Sequence, residues 1–428
     1  MHIQKLTLTN YRGARSLSLD LHKNLNVLVG VNGVGKSTIL DAVAIMLSWA
    51  VSRIRQPGTS GRPISEDDIT NRQSSASVEL SCIDRGKTVA WKLAKNSRSF
   101  GLSKQPSDFA QLNEYAKTLQ SQITAEGQDV NIPLFVHYPV NRAVLDIPLR
   151  IPKRHRFDLL TAYDEALTTG ANFRTFFEWF REREDLENEI KARNGQASLF
   201  ESEPPPQYPD PQLAAVRSAL NQFLPEFKNL TVRRSPLRME IEKNGRPLTV
   251  NQLSDGEKCL IAMVSDLARR MAIANPAHSN PLHGEGIILI DEIDLHLHPK
   301  WQRMVVPRLL EVFQNCQFIV STHSPHVLTH VQPESIFLLE WVEQNLTIQK
   351  PSESYGKSVD RILEDLMGLD TTRPTEVDSG LHSIYQMIDS NHLNRAREEV
   401  ARMRQEIGND PDLVKAEVLI KRKEKIGK

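Results

Sequence analysis

A chain of 428 residues can hold two or three domains, or one large core with an insertion. Lysine and arginine balance aspartate and glutamate at 53 each, so no global field selects nucleic acid or an acidic membrane, and any such contact must be a local patch. Cys82, Cys259 and Cys316 are far apart and form no C-x-x-C pair, which argues against a zinc site or a disulfide framework and fits the reducing cytoplasm. No continuous apolar run of ~18 residues marks a membrane span, and "MHIQKLTLTN" alternates where a signal peptide would be continuously apolar. A membrane role would therefore need a separate membrane partner.

In chain order, Ile3, Leu6 and Leu8, then Leu17, Leu19 and Leu21, alternate around the turn-like "NYRGAR" and predict a hairpin. The apolar run Leu25–Val29 predicts a strand that leads into "GVNGVGKST", which matches G-x-x-x-x-G-K-[ST]. Glycines at 30, 33 and 35 let the backbone curl with its N–H groups inward, and a helix N-terminus follows; this combination binds anionic phosphate. Asn32, Gly33, Gly35, Lys36, Ser37 and Thr38 are the candidate nucleotide-binding residues, with Lys36 reaching the β and γ phosphates and the Ser37 hydroxyl placed for Mg²⁺. A glycine-rich turn without a ligand is the plain alternative, but the strand before and helix after are the context the motif requires. The helix should run to about Trp49, and the Gly-, Pro- and Ser-rich stretch 53–75 reads as a mobile loop.

"ASVELSCIDRGKTVAWKLAK" predicts a second hairpin and "IPLFVHYP" a buried strand. From about Arg154 to Phe227 the spacing turns helical: Phe157, Leu160, Tyr163 and Leu167, then Phe173, Phe176, Phe177 and Phe180, recur on one face. That spacing favours packed helix core over a base-stacking platform. The Pro-rich "RNGQASLFESEPPPQYPDPQ" breaks this insertion in two, strands return from Leu230, and the chain after Ser358 is helical.

Three more stretches follow the phosphate loop. "QLSDGEK" at 252–258 places Ser254 and Gly256 at a helix start, where a hydroxyl and exposed amides can take a second phosphate. "GIILIDEIDLHLHP" is a buried strand ending in Asp291, suited to holding Mg²⁺, and Glu292, suited to orienting water as general base. "CQFIVSTHSPHVL" is another, ending near His323, whose imidazole is placed to contact a γ-phosphate. Each fragment alone is weak evidence; four in this order are not a coincidence.

This order resembles the ABC-type ATPase fold, and within it the SMC-like branch that includes DNA-repair ATPases and OLD-family proteins. The resemblance spans roughly residues 1–339. It implies an α/β P-loop head with a mixed, mostly parallel sheet and an N-terminal antiparallel β-subdomain, with ATP and Mg²⁺ as cofactors. It also implies that Asp291 is the Mg²⁺-associated carboxylate, Glu292 the general base and His323 the switch histidine. Ser254 and Gly256 become signature residues, and Asp294 part of a loop that communicates across a dimer. In this family the signature of one subunit closes on the phosphate loop of another, so a homo-oligomer, at least a head-to-tail dimer, is implied. Two departures stand out: the signature reads Leu-Ser-Asp-Gly-Glu, and no lid glutamine follows "LFVHYPVNRAV", where Asn141 or Arg142 takes its place.

The resulting domain expectation is 1–150 for the N-terminal half of the head, 151–229 for a helical insertion, 230–357 for the C-terminal half, and 358–428 for a helical tail that docks a partner. Ser254 follows Lys36 by 218 positions, too few for the long coiled coil of true SMC proteins, and the insertion lacks sustained heptads. The compact build, "DEIDLHLHP" and the charged helical tail look similar to the PtuA ATPases of the Septu anti-phage systems, including retron-associated forms. That resemblance implies a cytoplasmic, oligomeric ATPase that recruits an HNH nuclease, PtuB, and it carries no Toprim-like acidic cluster for nuclease chemistry of its own. A RecF-like DNA-repair ATPase is the alternative, and an ABC transport subunit is disfavoured. "LRIPKRHRFD" is a candidate contact to nucleic-acid phosphates or else a solvated helix start. His296-x-His298 lacks the third ligand of a metal site.

Overall fold

The computed structural model describes residues 1–98, 105–127, 129–140, 157–168, 173–194, 209–343 and 345–426. Asn141 and Arg142, the basic cluster up to Arg156 and most of the Pro-rich stretch lie outside these residues. The chain divides into two units, Met1–Lys357 and Ser358–Lys428.

The first unit begins with β1 (His2–Tyr11) and β2 (Ala14–Asp20), the expected hairpin, then β3 (Leu25–Val29) and α1 (Lys36–Arg55). β4 (Ser75–Asp84) and β5 (Lys87–Asn96) form the second hairpin. α2 (Ala110–Glu126), β6 (Leu134–Tyr138), α3 (Phe173–Asn194) and α4 (Pro211–Phe223) follow. Next come β7 (Phe227–Arg234), β8 (Leu237–Lys243) and β9 (Arg246–Thr249), a three-stranded antiparallel meander. The unit continues with α5 (Asp255–Ala274), β10 (Gly286–Ile290), α6 (Pro299–Val312), β11 (Cys316–Ser321), α7 (Pro325–Leu328), β12 (Ile336–Val342) and β13 (Asn345–Gln349).

Two sheets position the site. The antiparallel sheet β2-β1-β4-β5 buries one face through Ile3, Leu6 and Leu8, as the alternation predicts. The main sheet runs β13-β12-β3-β11-β10-β6, parallel except at β13. Every residue of β3, β6, β10 and β11 is buried, which is why these strands read as continuous apolar runs: helices cover both faces of a parallel sheet. The register pairs Ile290 with Val320 and with Tyr138, and Ser321 with Leu28. The carboxyl ends of four strands therefore open at one edge of the sheet.

α1 is long and apolar enough to cross a membrane, but Ile39, Leu40, Val43, Leu47 and Ile54 are each within 1% of full burial, so its hydropathy is that of a core helix. The stretch after it departs from the mobile loop expected from composition. Trp49 donates its indole N–H to Arg62 O (2.8 Å), Arg62 N donates to the Ser48 hydroxyl (2.8 Å), and Arg12 pairs with Asp68 and Asp41. Local composition cannot register such distant anchors. The aromatic run on α3 is core: Phe176, Phe177 and Phe180 are fully buried. The helical spacing before it, however, yields only a 3-10 turn at Leu159–Tyr163. Tertiary donors take the carbonyls an α-helix would use itself: Arg270 Nη1 bonds Ala162 O and Asp164 O (2.8 Å each), and His137 N bonds Ala166 O (2.7 Å).

The second unit holds α8 (Val359–Asp365), α9 (Thr375–Asp389), α10 (Leu393–Ile407) and α11 (Pro411–Ile426). Leu381, Ile384 and Ile388 on α9 pack with Ala396, Val400 and Met403 on α10 and with Leu413, Ala416 and Ile420 on α11. This corrects the premise behind a tail docked through its apolar face. Those side chains, with Tyr385 against them, satisfy one another in a three-helix bundle and need no external groove.

Candidate nucleotide site

β3 ends at Val29, and the chain turns through residues 30–35 before α1 starts at Lys36. The turn requires glycine where φ is positive, +77° at Gly33 and +119° at Gly35. A Cβ built on Gly33 would meet nothing within 4 Å, so the loop is open at that residue. Asn32 and Ser37 are exposed and Thr38 half-buried in the first turn of α1. Lys36 is 6% exposed and folds back over the loop, donating to Gly30 O (2.8 Å) and Val31 O (3.1 Å). Burial lowers the pKa of its ammonium, and Asp291, Glu292 and Asp294 oppose that shift. One cation facing three carboxylates across an open loop is the electrostatic core of the site.

The carboxylates are held from β11. Ser321 Oγ donates to Asp291 Oδ1 and accepts from Glu292 N (2.7 Å), so one hydroxyl holds the Asp291 carboxylate and the backbone at Glu292. Asp291 N bonds Tyr138 O at the end of β6 (2.9 Å). Glu292 takes φ +48°, a left-handed conformation uncommon for a residue with a Cβ, which turns the chain out of the strand directly at the acid. Thr322 Oγ1 and His323 N both donate to Asp294 Oδ1 (2.5 and 3.3 Å), and this places half-buried His323 at the same sheet edge. The phosphate loop, Asp291, Glu292 and His323, distant in sequence, are thus brought together. Sequence reasoning missed Ser321; its signal was the Ser-Thr pair that closes an otherwise apolar strand.

Ser254 and Gly256 stand apart from this cluster. Ser254 caps α5 in a capping box: its Oγ accepts Glu257 N (3.4 Å), while Glu257 Oε2 accepts Ser254 N (2.8 Å) and Ser254 Oγ (2.9 Å). Burial alone would raise the pKa of Glu257, but its bonds to Lys243 and Ser254 bring it below the usual carboxylate range. The terminal Glu of Leu-Ser-Asp-Gly-Glu thereby acquires a structural role. Gly256 is required for another reason, since a Cβ there would lie 2.3 Å from His296 O. Exposed Ser254 opens on a pocket of about 380 Å³ shared with Lys243, His298, Lys300 and Trp301, and no phosphate-loop residue lines it. His298 Nδ1 accepts Lys300 N as the cap of α6 (3.2 Å); among the described residues no group of three His, Cys, Asp or Glu could hold a metal ion.

A P-loop on a mixed, mostly parallel sheet, two acids at the end of β10, one strand removed from the P-loop strand, and a capped Ser-x-Gly helix start define an ABC-type P-loop ATPase head. The family described as "AAA domain, putative AbiEii toxin, Type IV TA system" matches residues 25–329, and the chain belongs to it. It is similar to "Retron Ec83 probable ATPase" of Escherichia coli, 33% identical with 88% of this chain and 78% of the relative covered. It is also similar to "Retron Vc95 probable ATPase" of Vibrio cholerae, at 30% identity with 84% and 77% covered. A third relative, "Septu protein PtuA" of Bacillus thuringiensis, is 25% identical with 87% and 85% covered.

Proposed function

We propose that this ATPase closes head-to-tail with a second copy of itself, hydrolyses MgATP at composite sites, and uses that cycle to control a partner HNH nuclease in anti-phage defence. Lys36 and the loop amides bind the phosphates. Ser37 and Asp291 are the ligands for magnesium, which when bound with nucleotide neutralises charge on the β and γ phosphates. Glu292, whose backbone N–H is held by Ser321, accepts the proton of attacking water, and His323 contacts the γ-phosphate end. The open, glycine-turned loop and an ammonium bonded, among the described residues, to carbonyls that phosphate oxygens can replace suit this nucleotide.

The observation that carries the shared-site reading is the position of Ser254. It is exposed, capped, and lines a pocket with α6 residues and none of its own phosphate loop. The second subunit's loop is then its partner. Similarity to retron ATPases and Septu PtuA supports the defence assignment, and the nuclease partner rests on the Septu resemblance. The test mixes Lys36→Ala chains with Ser254→Arg chains. Each is inactive alone, and the heterodimer keeps one intact composite site and recovers part of the ATPase activity. Heterodimers that form and stay inactive refute the shared site.

A further inference from the structure

A cavity of the head lies far from the phosphate loop. About 610 Å³ opens between the β4–β5 turn, α2 and the chain just ahead of β6, β10 and β11, where Asn131, Glu285 and Asn315 lie. Those are the amino ends of parallel strands, whereas the phosphate loop follows a carboxyl end. Five-residue strands put the two sites about 16 Å apart or more, on opposite edges of the sheet. The volume falls in the ordinary range for a small-molecule site.

Five amides line this cavity, Gln111, Gln122, Asn131, Asn275 and Asn315, and four of them grip the fold by one end only. Gln111 Oε1 accepts Ala90 N (2.8 Å) and Asn131 Oδ1 accepts Ala277 N (3.1 Å). Asn275 Nδ2 donates to Met271 O (3.0 Å) and Asn315 Nδ2 to His283 O (2.6 Å). The opposite ends, two NH₂ groups and two carbonyls, have no partner among the described residues. Asn275 is only 2% exposed, and Gly284 is what admits its amide, since a Cβ there would lie 2.4 Å from Asn275 Oδ1.

The rest of the lining narrows the class. Flat and apolar surfaces come from Tyr115, Pro133, Ile132 and Leu119, and the rings of His278 and His283 meet edge-on at 6.4 Å. Three carboxylates, Asp84, Glu114 and Glu285, face two cations, Arg85 and Lys87, so the cavity does not draw an anion as the phosphate loop does. We propose that this cavity binds a nucleobase, an uncharged flat heterocycle whose edge is read by fixed amide donors and acceptors set beside apolar and aromatic walls. The base comes either from a free nucleoside or from an unpaired position in a single strand.

The test uses the full-length Lys36→Ala chain, which silences the phosphate site. Adenosine, guanosine, cytidine, uridine and single-stranded homopolymer oligonucleotides are titrated separately by calorimetry. Saturable binding is expected, weakened about tenfold or more in Gln111→Ala/Asn131→Ala, which removes two hydrogen bonds. Binding of a nucleoside assigns the free source, and binding of oligonucleotide alone assigns the strand. Thr118→Trp, which fills the cavity from the exposed side of α2, must give the same loss, and ATP binding with Lys36 restored verifies that each variant is folded. Absence of binding to every probe, or binding unchanged by both variants, overturns the proposal.

Discussion

Asp266→Asn is predicted to be among the most damaging single-atom changes in the head. Asp266 lies on α5 with no exposed surface; its Oδ1 accepts Arg269 Nη2 (2.7 Å) and its Oδ2 accepts Arg270 Nε (2.8 Å) and the Tyr138 hydroxyl (3.0 Å). Both arginines are at most 2% exposed. Arg270 also bonds two backbone carbonyls, whereas Arg269 bonds Asp266 and its Nε has no partner among the described residues. Asparagine keeps the shape, removes the negative charge and turns an NH₂ toward a guanidinium that also only donates. Two buried cations then share no counter-charge, which costs about 3–5 kcal/mol. At ~2–4 °C per kcal/mol this lowers Tm by on the order of 10 °C. Tyr138→Phe removes one neutral donor and leaves both ion pairs, so it should cost only about 1 kcal/mol.

Urea unfolding of both variants at pH 7 measures the difference, and a loss below about 1 kcal/mol for Asp266→Asn would refute the reasoning. The pH dependence gives a second check. Burial raises the carboxyl pKa, but the charges and hydrogen bonds of Arg270 and Arg269 outweigh it and hold Asp266 below the usual range. A depressed folded pKa contributes stability above the unfolded value of about 3.9 and loses it as pH falls through the folded one. The gap between wild type and Asp266→Asn should therefore be full at pH 7 and shrink below about pH 4.

Glu292→Gln should retain ATP binding but slow hydrolysis by ~10²-fold or more, read as single-turnover phosphate release; undiminished release would remove Glu292 as the base. Gly256→Ala must move the His296 carbonyl by about 1 Å, a displacement sufficient for ~10²-fold loss of turnover, whereas ATP binding to the isolated chain should hold because Gly256 lies outside the phosphate loop. Truncation before Ser358 should leave a folded, ATP-binding head, since the buried side chains of α9–α11 contact one another. If the tail docks the nuclease, the same truncation abolishes co-purification of that partner, and an insoluble or nucleotide-free product would show that the helices belong to the head.

What the sequence made legible was whatever depends on neighbouring residues. The phosphate loop is a local backbone requirement, and the strands into Asp291 and His323 are apolar along their whole length because the sheet is buried on both faces. α2 carries a local signal too, Leu112, Ala116 and Leu119 at helical spacing, but so few apolar residues stand out little from a polar stretch. By contrast, "SDLARR" on α5 reads as the solvated face of a helix. Only Tyr138 and the carbonyls of Ala162 and Asp164, more than 100 positions away, reveal it as buried. The stretch after α1 misled in the opposite sense, since its Gly and Pro content was compatible with the hydrogen bonds that hold it.

The same principle links two motifs that sequence treats as separate. Asp291 to His298 is a short, tightly turned segment: Leu295 N bonds Glu292 O (2.9 Å), Leu297 N bonds Asp294 O (3.0 Å), and Glu292 and His296 both take left-handed backbone. Its first residue is pinned by Ser321 beside the phosphate loop, and its sixth lies against Gly256 at the Ser254 helix start. Such a segment has little freedom to absorb a shift at one end without passing it on. Under the shared-site proposal, a change at the acids of one site is carried to the surface that completes the other. Replacing Gly256 should therefore impair coupling between the two sites of a dimer more than nucleotide binding at either.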